Sequence, residues 1–205
     1  MFTARTLLEG KWAILILAAA VIAGIVWRLW PVTVLAAVLL AFTISFFRDP
    51  NVTVPADENM IVAPATGKIV EIKSVGTTTM VAIFLSVFDV HVQRAPIAGT
   101  IKSVKYQPGK FLDVRDPQAS AVNEYREIVI ESADGYRVTV RQIAGLIARR
   151  IVAWSGQGAV LAKGERFGMI RFGSRVELFL PAGTEIVAKA GEYAKGGKTI
   201  VARQN

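Results

Sequence analysis

The sequence contains no cysteine and a single histidine, His91. Without cysteine there is no disulfide framework and no thiolate nucleophile. With one imidazole and no thiolate, a transition-metal site lacks the several ligands it needs. The familiar catalytic signatures are missing as well: no G-x-S-x-G elbow, no P-loop, no dinucleotide fingerprint, no H-E-x-x-H helix. Acidic residues are in the minority, 16 against 24 Lys and Arg, and the formal charge is +8. That excess points to an anionic partner, either nucleic acid or an anionic membrane surface. No basic stripe interleaved with aromatics is present, so nucleic acid is not expected.

What is abundant is apolar sequence, and it is concentrated before Arg48. Trp12 to Trp27 is a charge-free run, followed by Arg28-Leu29-Trp30-Pro31. A second run, Val32 to Phe47, ends at Arg48-Asp49-Pro50. Each falls a little short of the roughly 20 residues that span a bilayer. Two readings remain: a short helical hairpin crossing twice, or a pair of helices embedded in one leaflet. A cleaved signal peptide fits poorly, because the second run would remain as a stop-transfer segment. Arg5, Lys11 and Arg48 lie at the outer ends of the hairpin and Arg28 at its tip. The positive-inside rule then puts both ends, and all that follows, on the cytoplasmic side of the cell (inner) membrane. The expected division is a membrane-associated hairpin over residues 1–48 and a β-rich domain over 49–205.

From Asn51 onward short β-like runs alternate with glycine, proline and polar turns. Strands are expected over Ile61–Ala63, Gly67–Ser74, Met80–Leu85, Gly99–Tyr106, Glu127–Ser132 and Arg137–Ile143. More follow at Met169–Phe172, Arg175–Leu180, Glu185–Val187 and Thr199–Ala202. Their spacing predicts a mainly β domain, an antiparallel sandwich or barrel. One helix is expected around Ala144–Ile151, weakened by Gly145. A faint repeat, A-P-x-x-G-x-I, occurs at Ala63–Ile69 and again at Ala95–Ile101. Each copy reads as a turn feeding a strand, similar to elements of lipoyl-carrier folds (barrel-sandwich hybrids). The modifiable lysine of a carrier hairpin, in an Asp-Lys-Ala or Met-Lys-Met setting, is not there.

One cluster has chemical potential. Asp89-Val90-His91 would bring a carboxylate and an imidazole to the same face of an extended strand. A carboxylate there fixes the tautomer of the ring and raises its basicity, which makes His91 a candidate general base. A second feature is Gly173-Ser174, a glycine–serine break inside the strand-like stretch Met169–Pro181. By itself it reads as a strand bulge.

Five segments in order carry a resemblance: F-F-R-D-P at Phe46–Pro50, A-P-A-T-G-K-I at Ala63–Ile69, F-D-V-H-V-Q-R-A-P at Phe88–Pro96, G-L-I-A-R-R-I at Gly145–Ile151, and G-E-R-F-G-M-I-R-F-G-S-R at Gly164–Arg175. Together they resemble the short, membrane-anchored class of phosphatidylserine decarboxylases, over nearly the whole chain. The resemblance implies a proenzyme that cuts itself. Ser174 attacks the carbonyl of Gly173, and elimination and hydrolysis leave a pyruvoyl group on a small α chain, 174–205, beside a larger β chain, 1–173. The pyruvoyl carbonyl then forms a Schiff base with the amine of phosphatidylserine and takes up the electrons released with carbon dioxide. The cofactor is thus made from Ser174, with no metal and no pyridoxal phosphate. His91 is the implied base, Asp89 its neighbour, and Arg94 and Arg149 are candidate contacts for the lipid phosphate. The two chains are expected to stay associated, the membrane and its phospholipid being the partners. The oligomeric state is left open, a homo-oligomer included.

The chain departs from the family pattern at three places. Thr66 stands where the P-A-D-G turn has an aspartate thought to complete an Asp-His-Ser arrangement. Arg94 occupies the position of the second histidine in longer members. The N-E-R element reads Asn123-Glu124-Tyr125, with Arg126 one place on. Either Asp89 compensates for the lost aspartate, or the protein persists as an unprocessed, non-catalytic or carrier-like homologue; processing is the expected outcome.

Overall fold

The computed structural model describes residues 3–116, 118–146, 150–171 and 173–204. The chain divides into two compact units, Met1–Asn51 and Val52–Asn205. In the first, α1 (Ala4–Val26) and α2 (Trp30–Phe46) pack as a hairpin. Thr3 caps α1 by accepting the N–H of Thr6, and Pro31 opens α2, where its missing N–H costs nothing. Between them Arg28 takes a φ of +56°, and the N–H of Leu29 closes on the carbonyl of Gly24 at 2.8 Å, a left-handed helix end. The charge-free runs leave Trp12, Ile16, Ile22, Trp27 and Trp30 largely exposed. Among the described residues α1 is the one helix long and apolar enough to cross a membrane; α2 has 17 residues.

The second unit is mainly β. In chain order its strands are β1 (Met60–Val62), β2 (Gly67–Val75), β3 (Thr78–Leu85), β4 (Val92–Arg94), β5 (Gly99–Gln107), β6 (Tyr125–Glu131), β7 (Arg137–Ala144), β8 (Ile151–Ala153), β9 (Val160–Leu161), β10 (Arg166–Ile170), β11 (Ser174–Pro181), β12 (Glu185–Ile186), β13 (Tyr193–Ala194) and β14 (Ile200–Arg203). A short helix, α3 (Ala119–Val122), precedes β6. The main antiparallel sheet, curled into a half-barrel, runs β13-β2-β3-β11-β7-β6-β5-β9. Two small sheets, β1-β14-β12 and β4-β10-β8, complete the unit.

This strand order is palindromic. Exchanging β1, β2, β3 and β11–β14 for β4, β5, β6 and β7–β10 maps every sheet onto itself or onto the other small sheet. The A-P-x-x-G-x-I turns occupy equivalent places, entering β2 and β5. Each turn supports the opposite half: Arg94 N–H donates to the Pro64 carbonyl at 2.9 Å, and Val62 N–H to the Pro96 carbonyl at 3.0 Å. A register shift follows each turn at the same offset, between Ile69 and Glu71 and between Ile101 and Ser103. The domain is therefore two interlocked halves, and the second, β4–β10, lies in the chain between β3 and β11 of the first. The chain passes between halves twice, through residues 86–91 and again through 171–173.

Alternation along the strands buries one face. In β11, Val176, Leu178 and Leu180 are fully buried with Ile69, Val81, Ile83, Ile128 and Val140 in one core. Such burial contributes roughly 1.5–3 kcal/mol per large side chain. Arg175, Glu177 and Phe179 point to the other face, where Arg175 Nε donates to Glu177 at 2.9 Å and Nη2 to Glu71 at 2.7 Å. The helix expected around Ala144–Ile151 is not the local structure at its ends. Ala144 closes β7 and Ile151 opens β8, because both are tied into sheets; residues 147–149 lie outside the described residues.

Candidate functional site

Both passages between the halves meet at one point. After β3 the chain turns tightly: Asp89 N–H donates to the Ser86 carbonyl at 2.9 Å, and the Asp89 carboxylate accepts the Ser86 N–H at 2.8 Å. The hydroxyl of Tyr193 donates to the other carboxylate oxygen. Asp89 and His91 therefore do not share a strand face, as the extended reading expected. The backbone carbonyl of Asp89, rather than its carboxylate, meets the ring of His91, at 2.9 Å from Nδ1. A carbonyl only accepts, so Nδ1 carries the proton. Nε2 is then the bare nitrogen, and it accepts the N–H of Gly173 at 3.2 Å. His91 is fully buried, with the tautomer a general base at Nε2 requires.

The second passage supplies the peptide. Gly173 has a φ of +63°, in the left-handed region that favours glycine. Ser174 opens β11, paired with Leu85 of β3 and Ala144 of β7. It is completely buried, and among the described residues its Oγ has no hydrogen-bond partner. Leaving a buried hydroxyl unpaired costs about 1–3 kcal/mol, so packing alone gives no reason for a serine here.

Gly145 faces the same peptide. A Cβ at this position would stand 2.5 Å from the carbonyl oxygen of Gly173, so only glycine leaves that carbonyl its room. Asn123 steadies this neighbourhood: its amide donates to the carbonyls of Leu112 and Ala144, both at 2.9 Å, and accepts the Leu112 N–H at 2.9 Å. Gly173 also lines an open cavity of about 350 Å³. Phe88 and Leu146 on its walls are 72 % and 60 % exposed, which leaves a wide apolar mouth. Arg115 stands on the same wall, and its hydrogen bonds to Asp113 hold that carboxyl down at about 2.

Thr66 and Arg94 make their own hydrogen bonds to the backbone. The Thr66 hydroxyl accepts the N–H of Gly196 at 2.9 Å, so it braces a turn. Arg94 is buried in β4, and Nη1 donates to the Gly164 carbonyl at 3.1 Å. Arg149 lies outside the described residues. Gly145 and Tyr193 carried no sequence signal for the site: the first read as a weak point in a helix, the second as one aromatic among several.

The fold and the site define a mainly β domain that buries a lone histidine against a glycine–serine peptide at the crossing of two halves. The family model described as phosphatidylserine decarboxylase matches residues 39–202. A phosphatidylserine decarboxylase proenzyme of Citrifermentans bemidjiense is 47 % identical over 170 residues, 80 % of this chain and 78 % of the relative. Proteins of the same description from Geobacter sulfurreducens and Nitratidesulfovibrio vulgaris are 43 % and 44 % identical, covering 88 % and 86 % of this chain and 87 % and 84 % of their own. The chain belongs to the phosphatidylserine decarboxylase family.

Proposed function

We propose that this chain is a proenzyme that cuts itself between Gly173 and Ser174 and then converts phosphatidylserine to phosphatidylethanolamine. The observation that carries the reading is the buried, unpartnered hydroxyl of Ser174 following a glycine whose N–H meets Nε2 of His91. The Gly173 N–H must leave Nε2 before the imidazole can take the Ser174 proton. The Ser174 oxygen then bonds to the Gly173 carbonyl carbon, the Gly173–Ser174 C–N bond breaks, and the proton passes to the departing amine, leaving an ester. Loss of the Ser174 α-proton breaks the ester C–O bond, frees the Gly173 carboxylate and leaves a dehydroalanine end. Water adds to the imine form of that end and ammonia departs, which gives a pyruvoyl group.

That group supplies a carbonyl that condenses with the lipid amine and takes up the electron pair released when the carboxylate leaves as carbon dioxide. The buried site that His91 and Gly173 share fits a group made from Ser174 in place. The chain's own contribution is then orientation. The apolar mouth at Phe88 and Leu146 suits acyl chains, and Arg115 offers an exposed cation to an anionic head group. Neither Arg94 nor Thr66 is assigned a part in this chemistry.

The small chain, 174–205, would stay bound after the cut, since β11 is hydrogen-bonded along both edges and β12–β14 pair with β14, β2 and β1. The apolar hairpin supports attachment to the inner membrane with the domain on the cytoplasmic side. A phospholipid substrate is consistent with that attachment. The unpartnered Ser174 hydroxyl also favours a second reading, a homologue that remains uncut because its nucleophile and base are not yet joined.

Cyanoborohydride couples an amine reductively to a ketone carbonyl and separates these readings. With phosphatidylserine vesicles, the proposed enzyme gains a covalent lipid on the small chain, and Ser174→Ala gains none. Absence of both the adduct and carbon dioxide release from the parent protein would overturn the proposal.

A further inference from the structure

Arg126 is an oddity of the interior. It sits in β6, 5 % exposed, and burial pushes its guanidinium below the ordinary value. Its hydrogen-bond partners are neutral: Oε1 of Gln142 at 3.0 Å and the carbonyl of Ser155. Among the described residues no carboxylate pairs with it, and a buried charge without a counter-charge is costly.

The chain of bonds that starts there has a direction. Arginine only donates, so Gln142 must turn its oxygen to Arg126 and its NH₂ onward. That NH₂ donates to Oε1 of Gln93 at 2.9 Å, which forces the Gln93 NH₂ onward in turn, to the backbone carbonyl of His91 at 2.9 Å. Both glutamines are fully buried. Gln142 and Arg126 are cross-strand partners in the main sheet, whereas Gln93 is in β4. The relay thus joins the two sheets that frame the site. Gly168 of β10 leaves the slot open, since a Cβ there would stand 3.1 Å from Gln142 Nε2.

We infer that Arg126 is a positioning residue for His91, acting through the polarised amides of Gln142 and Gln93 to hold the imidazole between Asp89 and Gly173. The inference rests on the reading of His91 as the base of self-cleavage. The relay explains why a cation is kept where an apolar side chain would pack: one donor-only group fixes the orientation of two amides that are otherwise reversible.

Gln142→Glu tests it. A carboxylate beside Arg126 forms an ion pair, so thermal stability should not fall. It has no NH₂ for Gln93, however, whose amide then turns and presents its oxygen to the His91 carbonyl. Self-cleavage should slow at least tenfold. Arg126→Lys, which keeps a donor, should cut faster than Arg126→Met. Because His91 is the sole histidine, ¹⁵N-histidine labelling gives one imidazole spectrum. In uncut Ser174→Ala protein it should report a proton on Nδ1, and adding Gln142→Glu should shift it toward a mixture of tautomers. Either readout unchanged in Gln142→Glu overturns the inference. If the parent protein never cuts, the functional reading fails instead, and the imidazole spectrum still decides the relay.

Discussion

The carbonyl oxygen of Gly173 lies against the α-carbon of Gly145, so close that a methyl group there would come within 2.5 Å of it. The two residues belong to different elements, the end of β7 and the entry to β11, and Ala144 and Ser174 pair beside them. The carbonyl expected to receive the serine oxygen is thus held by the absence of a side chain.

Gly145→Ala should slow self-cleavage by about 10²-fold, the scale of a 1 Å misplacement at a reacting centre. Gly99→Ala is the control. Its Cβ would meet the Glu131 carbonyl at 2.3 Å, so it should lower thermal stability and leave cleavage within about threefold, having no contact with the site. A mass-spectrometric time course reads both. Equal slowing in the two variants would make Gly145 a structural glycine only.

Glu177 is 1 % exposed, on the face of β11 opposite Ser174, and accepts from Ser120 at 2.6 Å and from Arg175 at 2.9 Å. Glu177→Ala removes the buried acceptor of Ser120 and Arg175 while Glu71 still pairs with Arg175, and should destabilise the protein by about 1–3 kcal/mol. Urea unfolding of the uncut Ser174→Ala background measures this. A loss under about 1 kcal/mol would show that solvent reaches Arg175 freely.

Glu71 makes the stability of the protein depend on pH. Hydrogen bonds from Lys73 first, and from Arg175, hold its carboxyl below the usual value of 4.5 against an opposing effect of burial. A depressed folded-state value means that the stabilisation is fully present above 4.5 and fades as pH falls through the folded-state value. The gap in melting temperature between the parent protein and Glu71→Gln should therefore shrink as pH drops below 4.5. A gap that stays constant down to pH 3 would contradict this.

Much of the fold was legible because its cause is local. The charge-free runs became α1 and α2, and short β-like runs between glycine, proline and polar turns marked β2, β3, β5, β6, β7 and β11. The repeated A-P-x-x-G-x-I turn was visible, but the palindrome it belongs to was not, since the two halves share turn chemistry and little else. Very short strands such as β4 and β9 are set by partners distant in sequence, and alternation has no room to show in them. At the site the tightest contacts are tertiary. Asp89 looked like a carboxylate for His91 on a strand, but a turn hands that part to its backbone. Gly145 looked like a helix breaker because nothing in the sequence says that the Gly173 carbonyl will lie against it. Gln93 and Gln142 are 49 residues apart, and their pairing exists only once the small sheet that holds β4 meets the main sheet that holds β7.

The passage between the halves at Gly173–Ser174 is where the chain is proposed to open. Intact mass under denaturing conditions tests it most directly. Two chains are expected, residues 1–173 and 174–205, the smaller with a blocked N-terminus, and one uncut chain for Ser174→Ala and for His91→Gln. A single uncut mass for the parent protein after prolonged incubation would contradict it.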